Sequence, residues 1–214
     1  MNIKLAVITK IEVQKRNKDR VNVYIDNEYA FSISMELVYK ESLKPKMEID
    51  VERLRDIADK EGYLKCKNAA LKIIERSYKT EKEVRDKLRE KEYTDSQIEK
   101  SIEFLKEYNF VNDDNYAKAY INDKLSSRGR QKIKYDLIKK GIDIQIIDEK
   151  LSLIDSDDER NTAVALAEKK YRTIKKSESD EYKLSGKLYR FLISKGYNYD
   201  IVKDVVKEVM KNDE

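Results

Sequence analysis

The sequence predicts a mainly α-helical protein: a tandem array of three three-helix repeats, elongated and curved, behind a small N-terminal β-rich unit. Three observations predict it. Of 214 residues, 41% are charged and 40% apolar, with five Gly and one Pro, so helices that bury a narrow stripe and solvate the rest are favoured. Strand-like alternation is confined to the first fifty positions. Beyond them, six apolar positions recur three times in one register, which a single irregular helical bundle would not require.

In the β unit, Ile8, Ile11 and Val13, then Val21, Val23 and Ile25, then Tyr29, Phe31 and Ile33 follow strand spacing. Asp26-Asn27-Glu28 supplies turn chemistry between the second and third runs, giving one hairpin. The only proline, Pro45, follows in SLKPKMEID. VERLRDIADKEGY then reads as a helix ending at Gly62, which places the β unit at 1–62 and the repeats at 63–112, 113–157 and 158–214.

The repeats rest on a register. A shift of 49 residues carries Val84, Leu88, Tyr93, Ile98, Ile102 and Leu105 onto Ile133, Leu137, Ile142, Ile147, Leu151 and Ile154. A further 55 reaches Leu188, Leu192, Tyr197, Val202, Val206 and Val209. Thr94, Asp143 and Asn198 fall together as N-caps. Gly141 and Gly196 fall together at the preceding helix end, where the first copy has Glu92. Thr80 with Glu83 and Thr94 with Gln97 have capping-box spacing. Upstream of each helix–turn–helix lies another helical segment, CKNAALKIIERS, DDNYAKAYINDKLSS or DERNTAVALAEKKYRTI. A unit of about 50 residues cannot bury its stripe alone, so the units should stack.

Charge differs between copies where apolar positions do not. In EKEVRDKLREKEY five acids cancel five bases, the pattern of a solvated face. Between Arg128 and Lys140 six bases, Arg128, Arg130, Lys132, Lys134, Lys139 and Lys140, meet one acid, Asp136. From Gly141 to Glu159 seven acids meet one base, Lys150. The six bases are the candidate contact residues, able to meet phosphates or an acidic protein groove if they share a face. Ile133 and Leu137 claim the core, leaving Lys134 and Lys140 an exposed side. The plainer alternative is an ordinary solvated face. Lys175 and Lys176 form a second, weaker basic spot in a loop. Tyr108, Tyr116 and Tyr120 could stack bases, but helical spacing beside Ala117 and Ala119 favours core positions.

Enzymatic chemistry finds little support. There is no histidine, and Cys66 is the only cysteine, which excludes intramolecular disulfides, Cys/His zinc sites and His-based acid–base catalysis. Cys66 reads as a small residue at a helix start. No phosphate-binding glycine loop occurs. The acidic groups Asp113-Asp114 and Asp155–Glu159 read as helix caps rather than ion sites, lacking EF-hand spacing. The expectation is a non-enzyme with no cofactor and no metal. A net charge of +4 is weak for a dedicated nucleic-acid binder, and no apolar run approaches a membrane span, so a cytoplasmic protein is expected.

One long run, ALKIIERSYKTEKEVRDKLREKEYTDSQIEKSIEFLKEYNFVNDDNYAKAYINDKLSSRGRQKIKYDLIKKGID, resembles the RecX family of recombination regulators. The likeness is close over residues 64–155 and looser through the third repeat, and the N-terminal extension is similar to that of longer members. It implies a three-helix-repeat protein, acting as a monomer without catalysis. Such a protein binds the RecA filament on single-stranded DNA, lies along its groove and mostly inhibits recombinase and ATPase activity. Asp113, Asp114, Tyr116, Ala117 and Tyr120 match the family's most recognisable motif, in a pattern of cap and packed helix. Glu92 and Asn109 stand where glycine is usual, and Gln131 interrupts the basic run. The competing expectation is a helical repeat protein that binds nucleic acid, weakly and directly, without RecA; the net charge and the basic segment are compatible with either.

Overall fold

A computed structural model of the chain describes residues 5–15 and 17–211. Alternation in the first fifty residues yields a four-stranded antiparallel sheet of order β3-β2-β1-β4, formed by β1 (Leu5–Val13), β2 (Arg20–Ile25), β3 (Glu28–Ser34) and β4 (Glu48–Asp50). The β2–β3 hairpin closes through Asp26 and Asn27, both at positive φ (52° and 69°), the twist a two-residue hairpin needs. A bulge between Ile8 and Lys10 accounts for the three-residue step from Ile8 to Ile11. Ile8, Val21, Val23, Ile33 and Ile49 pack with Leu37 of α1 (Met35–Lys40) and Leu54 of α2 (Val51–Arg76).

Helix α2 corrects two expectations. It does not stop at Gly62 but continues to Arg76, so Cys66 lies in a helix interior, fully buried, rather than at a helix start. Gly62 serves a close approach: a Cβ there would lie 2.1 Å from Gln97 Nε2 of α4 (Asp95–Glu107). A helix-interior glycine costs about 1 kcal/mol relative to alanine, which the contact offsets. Burial pushes the Cys66 thiol up, away from the reactive thiolate.

The remaining helices are α3 (Glu81–Glu90), α5 (Asp113–Lys124), α6 (Arg130–Lys139), α7 (Ile144–Ser152), α8 (Ser156–Ile174), α9 (Glu181–Lys195) and α10 (Tyr199–Lys211). Every apolar position of the threefold register is buried except Tyr93 and Ile154, which are half-buried. Thr94 caps α4 in a complete capping box with Gln97, and Thr80 with Glu83 forms another at α3. Asp143 and Asn198 cap α7 and α10. Glu92, Gly141 and Gly196, at φ of 62°, 84° and 89°, occupy the same left-handed position at three helix ends, and Asn109 (φ 56°) takes it after α4.

Two compact units result: one holds the chain up to Ser77 together with Val84–Phe110, the other Tyr78–Glu83 together with the chain from Val111 onward. Within the second unit one joint is built twice. The first turn of α3 sits on the turn ending α6: Thr80 Oγ1 donates to Lys140 O at 2.8 Å, Lys82 Nζ to Lys139 O at 3.3 Å, and Asp113 Oδ1 accepts from Glu81 N at 2.9 Å. One repeat on, Gly129 N donates to Lys195 O at 2.9 Å and Gln131 N to Gly196 O at 3.2 Å, while Glu159 Oε1 accepts from Arg130 N at 2.9 Å. The two left-handed glycines are pressed by the joint itself. A Cβ on Gly141 would lie 2.3 Å from Lys82 Cδ, and one on Gly196 2.4 Å from the backbone nitrogen of Lys132.

Glu92→Gly removes a left-handed penalty of about 1 kcal/mol and should raise the urea midpoint. Gly196→Ala should lower it by more than that, since backbone cannot retreat as the Lys82 side chain can; Gly141→Ala should fall between wild type and Gly196→Ala. Equal urea midpoints for the two alanine variants would contradict the assignment of backbone pressure to Gly196.

Candidate functional site

The six bases do not form a bare cationic face. Arg128, just before α6, is ion-paired with Asp136 and donates from Nη1 to Tyr120 Oη at 3.3 Å. Arg130 is committed to the second joint: its Nε lies 2.8 Å from Glu159 Oε2, itself buried, and its Nη2 donates to Ile154 O at 2.9 Å. Lys132 reaches Asp136 at 3.8 Å and lies over the Tyr135 ring. Lys134 pairs with Asp148, and Lys140 with Glu83 at 2.7 Å. Lys134 and Lys140 are therefore half-buried and paired, not on an open side. Lys139 is exposed, and among the described residues its ammonium has no partner.

What the structure adds is a row of tyrosines beside these bases. Tyr78, from the link before α3, stacks on Tyr116 of α5 with centroids 5.5 Å apart and planes at 20°. Tyr116 stacks on Tyr120, one helical turn on, at 6.2 Å and 15°. Lys140 lies over Tyr116, Lys124 lies over Tyr120, and Arg128 meets the Tyr120 hydroxyl. The row grades from Tyr116, which is buried, to Tyr78, which is half exposed. The i, i+4 spacing of Tyr116 and Tyr120 is visible in the sequence, where it favours core positions; that Tyr78 joins them is not, because its neighbour lies across a loop. Tyr108 instead stacks at 6.1 Å on Phe110 in the first unit, its ring exposed.

Electrostatics hold the site charged. Burial disfavours the Lys140 ammonium, but hydrogen bonds to Glu83 and Tyr116 outweigh it and raise its pKa. Burial likewise disfavours the Glu83 carboxylate, and is outweighed by Lys140 and the Thr80 amide, so Glu83 titrates below its ordinary 4.5. Burial, then the Asp136 carboxylate, pushes the Tyr120 phenol up. Of the acidic groups, Asp155 caps α8 as expected, whereas Asp113 and Asp114 lie in the first turn of α5, which Asn112 caps, and Asp113 accepts from Glu81 N of α3 instead. No group of three metal-ligating side chains gathers among the described residues. No described helix is long and apolar enough to cross a membrane.

A β unit, three consecutive three-helix segments and a base-rimmed tyrosine row define what to compare. Four family models match in order: "Regulatory protein RecX N-terminal domain" over residues 6–50, and the first, second and third three-helix domains of RecX over 66–105, 112–151 and 157–206. The regulatory protein RecX of Clostridium beijerinckii is 60% identical over 209 residues, covering 98% of each chain. The chain belongs to the RecX family. A more distant RecX, from Clostridioides difficile, is 42% identical over 98% of this chain and 99% of its own. Among solved structures, a crystal structure of regulatory protein RecX aligns with a TM-score of 0.65 at 25% identity, covering 94% of this chain and 98% of the other. RecX from Lactobacillus salivarius aligns at 0.62 and 31% identity, covering 70% and 97%. All six bases fall inside the second RecX three-helix domain, Arg128 and Lys140 between its helices.

The Glu83–Lys140 pair gives a pH signature. Because the folded-state pKa of Glu83 is depressed, its stabilisation is fully present above about 4.5 and is lost as pH falls through the lower folded value. The raised Lys140 reflects the same pair and keeps its ammonium charged at every pH below its ordinary 10.5, so only Glu83 sets the acid limit. Glu83→Gln should therefore be less stable than wild type at pH 7, with the gap closing by pH 3, read as urea midpoints. A constant gap across that range would show the pair to be energetically silent.

Proposed function

We propose that this chain binds the RecA filament on single-stranded DNA, as a cytoplasmic monomer. There it modulates, mostly by inhibition, RecA's recombinase and ATPase activities, without catalysis or a cofactor of its own. Membership of a family whose curated relatives are named regulatory proteins supports a regulatory role. The observation that carries the contact is the tyrosine row Tyr78–Tyr116–Tyr120 rimmed by Arg128, Lys124 and Lys140. Half-exposed aromatic rings beside cations are the composition of interface anchors. Surface ion pairs such as Lys132–Asp136 are worth about 0–1 kcal/mol, so those bases can exchange an internal carboxylate for an external anion. Arg130 is excluded from contact by its part in the joint; Lys134 is held in the α6–α7 pair; Lys132, Lys139 and Arg128 remain the accessible members.

ATPase turnover of RecA on single-stranded DNA, titrated with this protein, tests the reading. Inhibition near stoichiometric amounts is expected. The triple variant Tyr78→Ala/Lys132→Glu/Lys139→Glu should need about tenfold more protein, equivalent to roughly 1.4 kcal/mol, with its helical circular-dichroism signal unchanged. An ATPase rate indifferent to the wild-type protein would sink the proposal, and undiminished inhibition by the variant would move the contact elsewhere.

Ammonium groups over the rings of Tyr116, Tyr120 and Tyr135 also favour a second reading, direct binding of single-stranded nucleic acid without RecA. That reading requires oligonucleotide affinity falling steeply with salt as counterions are released.

A further inference from the structure

The threefold register extends from apolar positions to the place where repeats meet. Positions 81, 130 and 185 correspond under the shifts of 49 and 55. At Glu81 the incoming acid is Asp113, from the first turn of the next repeat's leading helix, and at Arg130 it is Glu159, again from the first turn of the leading helix. The leading helices α5 and α8 both begin acidic, with Asp113 and Asp114 and with Asp157, Asp158 and Glu159. The third position, Ser185, lines an open groove of about 500 Å3 between α9 and α10.

One wall of the groove carries Glu181, Tyr182, which is 88% exposed, Ser185 and Tyr189; the apolar floor is Tyr189 and Met210, both partly buried, over the buried Val206. Its other wall carries Lys203, Lys207 and Lys211, one per helical turn on a single side of α10. None of these three ammonium groups is ion-paired among the described residues. The lysines are not a demand of the repeat. Their counterparts are Asp148, Ser152 and Ser156 in the second repeat and Glu99, Glu103 and Glu107 in the first. In those repeats the second and third helices are tied by an ion pair at aligned positions, Arg85–Glu99 and Lys134–Asp148. In the third the same two positions are Tyr189 and Lys203, both lining the groove. Helix α9 also starts a turn earlier than the register requires, so the Ser185 amide lies inside the helix.

We propose that the groove between α9 and α10 is a docking seat for an acidic amphipathic helix of a protein partner. The partner helix lays a row of carboxylates along Lys203, Lys207 and Lys211 and an apolar row on Met210 and Tyr189; inside the chain, acids of α5 and α8 likewise meet the helix starts at Glu81 and Arg130. The proposal stands independently of the filament reading.

The test uses the full-length protein and a fluorescein-labelled peptide of residues 155–168 (DSDDERNTAVALAE), the acidic start of the helix whose Glu159 meets Arg130 one repeat earlier. Anisotropy at low salt should show saturable binding, weakened at least tenfold by Lys203→Glu/Lys207→Glu/Lys211→Glu, with a milder loss in the triple Gln variant and unchanged circular dichroism in both. Absence of binding, or equal binding by the triple Glu variant, overturns the proposal. So does binding of an oligodeoxythymidine probe, but not the peptide, that the triple Glu variant loses, which would make the groove a nucleic-acid surface. Self-association in sedimentation that the triple Glu variant abolishes would assign the groove to a second copy, and would equally overturn it.

Discussion

The helical part of the second unit depends on one contact: the first turn of a helix, with its unsatisfied amides, set against the last carbonyls of a helix from the next repeat. Each partner cures the other's deficiency, since helix starts carry orphan donors and helix ends orphan acceptors. Thr80 Oγ1 on Lys140 O and Gly129 N on Lys195 O are the same solution reached with a hydroxyl and with a backbone amide. An acid from the leading helix completes each, favoured there by the positive end of the helix dipole. The thin apolar stripe of each repeat, two buried residues in α3, α6 or α7, is too small to hold a unit of this size. Polar joints must therefore define the spacing, and they require residues that can come close.

That requirement explains both what the sequence reveals and what it withholds. Apolar register, caps and left-handed turns are local, each fixed by residues within one helical turn of another, and positions such as Val84, Ile133 and Leu188 or Thr94, Asp143 and Asn198 are legible for that reason. The identity of the left-handed residue is also legible, but its full cause is not. Gly141 and Gly196 look like ordinary helix-ending glycines; only packing shows that Lys82 and Lys132 leave no room for a Cβ. Gly62 misleads in the opposite direction. It reads as a helix stop, whereas its function is to admit Gln97 from a helix 35 residues away in sequence, and no window around residue 62 carries that fact.

The candidate site was half legible for the same reason. A run of six bases is visible as composition, but whether bases are available is a question about partners, and Arg130's partner Glu159 lies 29 residues on. Local charge of a segment overstates its field once carboxylates fold onto it, since ion pairs cancel at distances beyond the Debye length of about 8 Å. What then distinguishes the segment is geometry: weakly held cations next to a graded row of rings, buried at Tyr116 and open at Tyr78. A buried ring fixes the row's position, and an open one gives a surface to meet.

The two ends of the repeat series depart from the shared pattern where the joint ceases to be used. In the first repeat the left-handed turn at Glu92 receives no helix start; it borders a polar cleft shared with Arg20, Asn22 and Ser32 of the sheet, so a side chain there meets open space and glycine is not demanded. In the third, α9 has gained a turn and the acid-facing position Ser185 has lost its free amide. In the first repeat the aligned Glu99, Glu103 and Glu107 are also like charges one turn apart, but Arg85 pairs with Glu99. In the third the ion pair is absent, and Lys203, Lys207 and Lys211 stand one turn apart on α10 beside the partly buried Tyr189 and Met210. Like charges at i, i+4 cost a few tenths of a kcal/mol per pair, a small penalty with no gain inside the chain. A compensating gain outside it is the simplest account of why the arrangement exists.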